Sequence, residues 1–547
     1  MHHELRKRGT GERATERICD GLAVTVLVVV AAVTALTFRD YGLGWDDFTH
    51  AEYGGLLLHL LQSGFRDQRA LGFVNLYAYG GGFDMLAAAL SDVLPLDIWE
   101  TRRLTGALVG ILGIAATWRI GRRLGGPFAG LVAAILLATC PLYYGHMLIN
   151  PKDAPFAVAM AIFLLGLVRL FQEYPQPSAA SFTLAGFGLG LALGTRILAG
   201  LSVAAALATL IFILIAEWRR LDPSLARQRL AHFLLPLLPA AVFAYCVMAL
   251  VWPWGVIHPL NPIKALIYFS HFFEKPWREM FAGTPILVPD MPRNYVPQLL
   301  ALKLPENFLV LAIGGLAGAL IVVTRKSIAP ARRAALLVLA LAALFPVALT
   351  VMTRPAMYNG IRHFVFVLPP LAALGGWAAA GVIDWLRQRW RVAAPVAAIA
   401  ILLAPLPAVI DMVQVHPYQY VNFNHIAGGI GGAKDRYMLD YWGLAFKQAA
   451  AELKAKLAAR GETPSADHPL RMAVCGPHRP AQVELGPNVS ISWDPKGADF
   501  AMTLGTYYCR TLDAPVIVDI ERDGVTFARV YDIRGKTFSS LLTIPAP

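Results

Sequence analysis

Gly44-Trp45-Asp46-Asp47-Phe48-Thr49-His50-Ala51-Glu52-Tyr53 follows directly on the first long apolar segment of the chain, which ends near Phe38. Two adjacent carboxylates therefore stand where a membrane-spanning helix leaves the bilayer, and ionisable groups at that depth point to a functional site. A purely structural role competes with this reading. Asp is a favoured helix N-cap, and Phe48 to Gln62 has the spacing of an amphipathic helix, so one of the pair could cap it. A cap needs one acidic residue, and here there are two.

The composition fits a chain built around the bilayer. Of 547 residues, 56% are hydrophobic and 15% charged, against about 25% charged in soluble proteins. The net charge of +12 would suggest nucleic acid as partner in a soluble protein. Here Lys and Arg cluster in short loops between apolar runs, which is a membrane topology signal, and no nucleic acid is expected. The run after Arg17 is too long for a signal-peptide core, and Thr37-Phe38-Arg39-Asp40 is no small-residue cleavage site, so it reads as an uncleaved first span.

A crossing helix needs about 20 mainly apolar residues. Such runs lie near 19–38, 102–121, 127–146, 154–172, 179–196, 197–217, 232–252, 306–324, 333–352, 362–384 and 393–413. The expected fold is a polytopic α-helical membrane protein of about 11 spans, and the pair at 179–217 requires a very short connection. Arg6, Lys7, Arg8, Arg13 and Arg17, Arg122 and Arg123, Arg219, Arg220, Arg227 and Arg229, Arg325, Lys326, Arg332 and Arg333, and Arg387, Arg389 and Arg391 all fall on one side if the N-terminus is cytoplasmic. The other side then receives Asp46 and Asp47, the 147–153 turn, the 253–305 and 353–361 loops and everything after His416.

The membrane domain is expected over 1–433. Its first outer loop, 39–101, carries two surface helices, Phe48–Gln62 and Gly82–Leu94, or a re-entrant hairpin. The long loop 253–305 is rich in Trp252-Pro253-Trp254, His271-Phe272-Phe273 and Pro276-Trp277, rings that suit the membrane interface or an acceptor groove. Residues 434–547 read as a small extracytoplasmic α/β domain. It has a helix at Leu444–Arg460, strands at Met472–Cys475, Ala498–Leu504 and Val516–Glu521, and a turn at Asp523-Gly524 leading into Val525–Asp532. Cys475 and Cys509 fall in this domain and could pair in an oxidising compartment or remain two buried thiols.

More charge gathers on the same outer face. In His146-Met147-Leu148-Ile149-Asn150-Pro151-Lys152-Asp153-Ala154-Pro155, Asp153 is a third carboxylate with Lys152 beside it. Alternatively, Asn150-Pro151 turns the chain, Asp153 caps the next helix and Lys152 snorkels. Arg196 ends the fifth span on the side where basic residues are rare, and binding an anion would explain it. Arg354, Arg362 and His363 add cations. Carboxylates and cations together suit a lipid phosphate, the cations holding it and a carboxylate acting as base.

At this point the chain resembles the GT-C class of integral-membrane glycosyltransferases, in the branch of protein O-mannosyltransferases and aminoarabinose transferases. The resemblance rests on the acidic pair in the first outer loop (Asp46-Asp47, where the family usually has Asp-Glu), the Asp153 turn and Arg196. It extends to Pro292-Arg293-Asn294-Tyr295-Val296-Pro297 through Lys303-Leu304-Pro305, to His416-Pro417-Tyr418-Gln419-Tyr420-Val421-Asn422-Phe423-Asn424, and to Asp440-Tyr441-Trp442-Gly443. It implies a bacterial inner-membrane enzyme with a periplasmic C-terminal domain. A polyprenyl-phosphate sugar would be the donor, and the acceptor hydroxyl, borne by a lipid, glycan or protein, would attack with inversion. Asp46 would be the base, with Asp47 and Asp153 in the catalytic set. Lys152, Arg196 and Arg354 or Arg362 would bind the phosphate. Tyr53, His146, Asn150, Tyr358, His363 and His416 are candidate substrate contacts. No cofactor is required by the resemblance, and a divalent metal is compatible with it. A transporter or flippase of an envelope lipid or glycan would also hold charges in the membrane, but usually near the midplane within a repeated architecture. A non-catalytic lipid-binding descendant is a third reading.

Overall fold

The computed structural model describes residues 10–218, 221–270 and 277–543. Arg6, Lys7, Arg8, Arg219, Arg220, His271, Phe272, Phe273 and Pro276, used in the reading above, lie outside the described residues.

The first span is α1 (Thr10–Thr37). The loop after it forms α2 (Asp47–Gln62) and α3 (Gly82–Ser91), where the amphipathic spacing predicts helices. Helix α4 (Ile98–Ala138) contains the second span and the start of the third, broken at Gly125-Gly126. Gly126 has φ +84, a conformation an L side chain resists, and Pro127 restarts the helix in the first-turn position that Pro tolerates. Helix α5 (Pro141–Ile149) completes the third span and α6 (Asp153–Gln172) makes the fourth. Between α7 (Ala179–Thr195) and α8 (Gly200–Trp218) there are only Arg196 and the 3-10 turn Ile197–Ala199. The required short connection is there, and Arg196 begins it in extended conformation.

Helices α9 (Pro223–Leu234) and α10 (Leu237–Val251) lead into the long loop. That loop is largely structured: α11 (Pro253–Ile257), α12 (Asn261–Ser270), an antiparallel hairpin of β1 (Arg278–Phe281) and β2 (Thr284–Leu287), and α13 (Tyr295–Lys303). The bundle is completed by α14 (Glu306–Thr324), α15 (Pro330–Thr353), α16 (Leu368–Arg389) and the pair α17 (Ala393–Leu403) and α18 (Leu406–Gln414). Helix α16 packs against α4 and α14 at its centre. Among the described residues, nine helical stretches are long and apolar enough to cross a membrane. One of them, α4, folds back on itself at its break, and the apolar 17-residue α7 is only slightly shorter. With the two arms of α4 counted separately and α7 added, each expected apolar run has a helical counterpart.

After the short α19 (Gly429–Ala433) comes the C-terminal part: α20 (Phe446–Ala459), β3 (Leu470–Cys475), α21 (His478–Leu485), β4 (Val489–Ser492), β5 (Phe500–Leu504), β6 (Val516–Arg522), β7 (Val525–Asp532) and α22 (Phe538–Leu541). The sheet order is β4-β3-β5-β7-β6. Strands β4, β3 and β5 are parallel, and β7 is antiparallel to both neighbours. All five residues of β5 are buried, the continuous apolar run of a strand covered on both faces. Asp523 and Gly524 both have positive φ, as a two-residue hairpin turn of this type requires. The sequence reading lacked β4 and the β1–β2 hairpin, whose four-residue runs are too short to show a period. Cys475 and Cys509 form a disulfide with Cα atoms 5.8 Å apart. The bundle and the sheet share one apolar core, running from Tyr143 and Phe156 through Tyr418, Phe423, Trp442 and Phe446 to Val474 and Phe527.

Candidate active site

The two adjacent carboxylates face different surroundings. Asp47 opens α2, and its Oδ2 accepts the Gly44 N–H at 2.7 Å. Arg103 donates to both its oxygens, at 3.0 and 2.7 Å, and to the Gly42 carbonyl. Both side chains are almost fully buried, so Asp47 fastens the loop to α4. Asp46 makes no side-chain cap. Its side chain is 38% exposed and meets Arg362 Nη1 at 3.2 Å. Partial burial pushes its carboxyl up, but the charges of Arg362, Lys152 and His50 outweigh this and hold it below the ordinary carboxylate range. A second buried network locks the helices behind it. Asp84 of α3 takes His50 of α2 and Arg102 of α4, each at 2.6 Å. Adjacent arginines of α4 thus anchor the loop and α3.

The second turn is built by Asn150. Its Oδ1 accepts the N–H groups of Lys152 and Asp153 at 3.0 and 2.8 Å, while Nδ2 donates to Asp153 Oδ2 at 2.9 Å and lies 3.2 Å from His146 Nδ1. Asn150, not Asp153, supplies the turn's side-chain cap. That frees Asp153 Oδ1 for Arg196, with which it forms a close buried ion pair. Lys152 does not snorkel outward. Its Nζ sits 4.2 Å from the centre of the Tyr79 ring, and the Arg196 guanidinium lies 5.5 Å from the same ring. Burial, then the neighbouring Arg196, lowers the Lys152 ammonium to about 8. Tyr79 is held by Tyr53, whose hydroxyl donates to its carbonyl at 3.1 Å. The next residue, Gly80, approaches α7 so closely that a Cβ there would lie 1.3 Å from the Gly194 carbonyl oxygen.

Arg362 starts the run into α16. Its guanidinium lies over Tyr358 and Trp442, 5.2 and 5.3 Å from the ring centres. The preceding turn is pinned by Glu279 of β1, which accepts from the Asn359 N–H at 2.6 Å and the Tyr295 hydroxyl at 2.7 Å. Burial pushes Glu279 up to about 7 against those hydrogen bonds. Trp442 is set by Asp440, which accepts the N–H groups of Gly443, Leu444 and Ala445. His363 meets Tyr358 edge-on. Arg362 Nε, His363 Nδ1, Trp442 Nε1 and Arg196 Nε are buried without a hydrogen-bond partner.

Asp46, Lys152, Asp153, Arg196 and Arg362 thus meet at one end of the bundle, with Asn150, His146, Tyr358 and His363 around them and Tyr53 one residue contact behind. Two predicted residues lie apart. Arg354 ends α15 with φ +49 and donates to the carbonyls of Met291 and Asp290. His416 bonds Asp40 at 2.9 Å and Gln419 at 3.0 Å. Among the described residues, no three His, Cys, Asp or Glu side chains converge as a metal ligand set. Sequence reasoning gave no role to Tyr79, Arg102, Arg103, Glu279 or Trp442. Only Trp442 carried a signal, through its place in a quoted motif.

Residues 94–252 match the family model described as dolichyl-phosphate-mannose-protein mannosyltransferase. That stretch is similar to this mannosyltransferase family. The matched stretch carries Lys152, Asp153 and Arg196 of the charged cluster, while Asp46 and Arg362 lie outside it. No curated protein sequence matches the chain. Its fold is similar to that of solved structures of ArnT from Cupriavidus metallidurans bound to undecaprenyl phosphate (16% identity, 93% of this chain and 97% of that one, TM-score 0.48). It is also similar to the archaeal oligosaccharyltransferase AglB from Archaeoglobus fulgidus (11% identity, 88% and 69%, TM-score 0.49) and to the arabinofuranosyltransferase AftD from Mycobacteria (15% identity, 93% and 40%, TM-score 0.42).

Proposed function

We propose that the protein is a membrane glycosyltransferase that moves a sugar from a polyprenyl-phosphate donor to an acceptor hydroxyl, with inversion, at the outer face of a bacterial cytoplasmic membrane. The N-terminus is cytoplasmic and the sheet domain periplasmic. The observation that carries this reading is the convergence of three cations and two carboxylates where span ends meet. Arg362, Arg196 and Lys152 form a surface for a lipid phosphate, and preorganised cations stabilise the charge that grows on a leaving phosphate.

Asp46 is the base in this reading because it is the accessible carboxylate. Asp47 and Asp153 are each committed to a buried arginine. With Arg362 against it, Asp46 is a weak base. A donor phosphate would draw on Arg362 and Lys152, relieve Asp46 of their charge and raise its pKa toward the range useful for proton transfer. The acceptor hydroxyl would lose its proton to Asp46 as its oxygen bonds to the anomeric carbon, while the bond to the phosphate oxygen breaks. Asp153 keeps Arg196 oriented. Orienting both substrates at the membrane edge supplies much of the rate. No cofactor is needed for these steps.

The test is mass spectrometry of envelope glycans and glycoproteins in cells with and without the gene, complemented by wild type or by Asp46→Asn. A hexose- or pentose-sized mass that disappears and returns only with wild type is the expected result, and it also names sugar and acceptor. Full restoration by Asp46→Asn would remove Asp46 as the base.

A further inference from the structure

Away from the charged cluster, a cleft of about 470 Å3 opens between the β1–β2 hairpin, the segment before Asp440 and the β5–β7 side of the sheet. That volume lies within the ~300–1,000 Å3 range of small-molecule sites. Lys434 and Arg510 stand on its walls, and no ion pair or side-chain hydrogen bond engages either among the described residues. A third cation on the wall, Arg529, is committed to Asp519 at 2.7 Å and Glu521 at 3.8 Å. Among the described residues, Asp435 is the single carboxylate that lines the cleft. The remaining surface mixes tyrosine rings, among them Tyr507 and Tyr531, with hydroxyls. One of these, Thr506 Oγ1, is buried without a hydrogen-bond partner.

This is a surface for a molecule that is both polyhydroxylated and negatively charged. Ring faces cover the apolar side of a sugar, hydroxyls and carbonyls meet its own hydroxyls, and two uncommitted cations favour an anion. The cleft is also wired to the charged cluster. The Tyr507 hydroxyl donates to the Arg278 carbonyl of β1 at 2.5 Å. The next residue of that strand is Glu279, which holds the turn before Arg362. A ligand in the cleft therefore lies one strand away from the Arg362 turn. A donor's lipid must stay in the bilayer, whereas this cleft lies between the sheet and a hairpin outside the spans.

We propose that the cleft between the β1–β2 hairpin and the C-terminal sheet binds an anionic saccharide segment of the acceptor through Lys434, Arg510 and the Tyr507 wall. The proposal deepens the transferase reading and rests on it for the word acceptor. The negative charge is a carboxylate or a phosphate on the sugar. The Cys475–Cys509 bridge fixes the loop that carries Thr506, Tyr507 and Arg510, and so sets one wall of the cleft.

The experiment is calorimetric titration of the full-length protein in nanodiscs with three probes: trigalacturonate, trehalose 6-phosphate and neutral maltotriose. One or both anionic probes bind and maltotriose does not; which of them binds identifies carboxylate or phosphate. Reversing both charges in Lys434→Glu/Arg510→Glu weakens that binding by about tenfold or more, the sum of two exposed attractions turned into repulsions. Asp435→Asn, which removes the opposing charge, tightens it. Asp46→Asn binds the probe as wild type does. Equal binding of maltotriose, wild-type binding by the double reversal, or no binding of either anion overturns the proposal. Because binding is read without turnover, loss of the transferase reading would show in the glycan analysis and leave this result intact.

Discussion

At the scale of single residues, Asp46 and Asp47 each meet a buried arginine, but Asp46 is 38% exposed where Asp47 is almost fully buried. Asp47 and Arg103 are a buried, doubly bonded pair, and removing one partner of such a pair leaves an unpaired charge that costs about 3–5 kcal/mol. Asp47→Asn or Arg103→Ala is therefore expected to destabilise the protein by that order, read as a lowered thermal midpoint in detergent. Asp46→Asn should leave the midpoint close to wild type while abolishing transfer. Equal midpoints for the two Asp variants would contradict the division of labour between them. Lys152 makes a pH prediction. Its pKa, lowered to about 8 by burial and by Arg196, keeps it cationic below pH 8 and neutral above. Donor KM should rise as pH passes upward through about 8. Lys152→Arg, whose guanidinium stays charged, should move that limb to higher pH. A donor KM flat from pH 7 to 9.5 in wild type would remove Lys152 from the phosphate surface.

Residue roles were also where the sequence was least legible. Asp46 meets a residue 316 positions away and Asp47 one 56 positions away; no local pattern states which carboxylate each arginine selects. Arg354 and Arg362 sit in one loop with equal claims by composition. A left-handed backbone at the end of α15 turns the first toward the carbonyls of Asp290 and Met291, and the Glu279-pinned turn aims the second at Asp46. Arg102 and Arg103 lie at the start of a predicted span and carry no sign of a role until α2 and α3 are seen to pack on them.

Elements were more legible, because the bilayer imposes one length and one composition on every crossing. The short link between α7 and α8 followed from that arithmetic, and Arg196 occupies it. What the spans could not show is how the segment before α3 reaches them. The Gly80 approach to Gly194 has no side chain to spare, so Gly80→Ala must push Tyr79 away from Lys152 and Arg196. A misplacement of about 1 Å can cost about 100-fold in rate. Gly80→Ala is expected to lower kcat/KM for the donor by that order with the protein still monodisperse and inserted. Unchanged kinetics would mean that the Tyr79 stack is not part of the site.

For the whole molecule, the expected small domain is present, and Cys475 and Cys509, which the sequence left open between a bridge and two buried thiols, are bonded; the four-residue strands that complete the sheet and the hairpin came only with the structure. Cys475 and Cys509 close a loop over a separation of 34 residues, and a bridge of that length stabilises by about 3–4 kcal/mol in the chain-entropy account. Cys475→Ser should lower the thermal midpoint of the sheet domain, and alkylation of the unreduced wild type should modify neither thiol. Labelling of Cys509 without reductant would refute the bridge.

The single apolar core has a consequence for how the chain is made. Chains fold from the N-terminus as they are synthesised, but Tyr418, Tyr420, Trp442 and Phe446 pack between the bundle and the sheet. The apolar helices of the bundle can be threaded one by one. The end of the bundle that carries Asp46, Asp153 and Arg362 cannot close until the last quarter of the chain has left the ribosome. A nascent chain halted at residue 433 would hold every carboxylate and cation of the cluster, and still expose to solvent and protease the surface that Trp442 and Phe446 are made to cover.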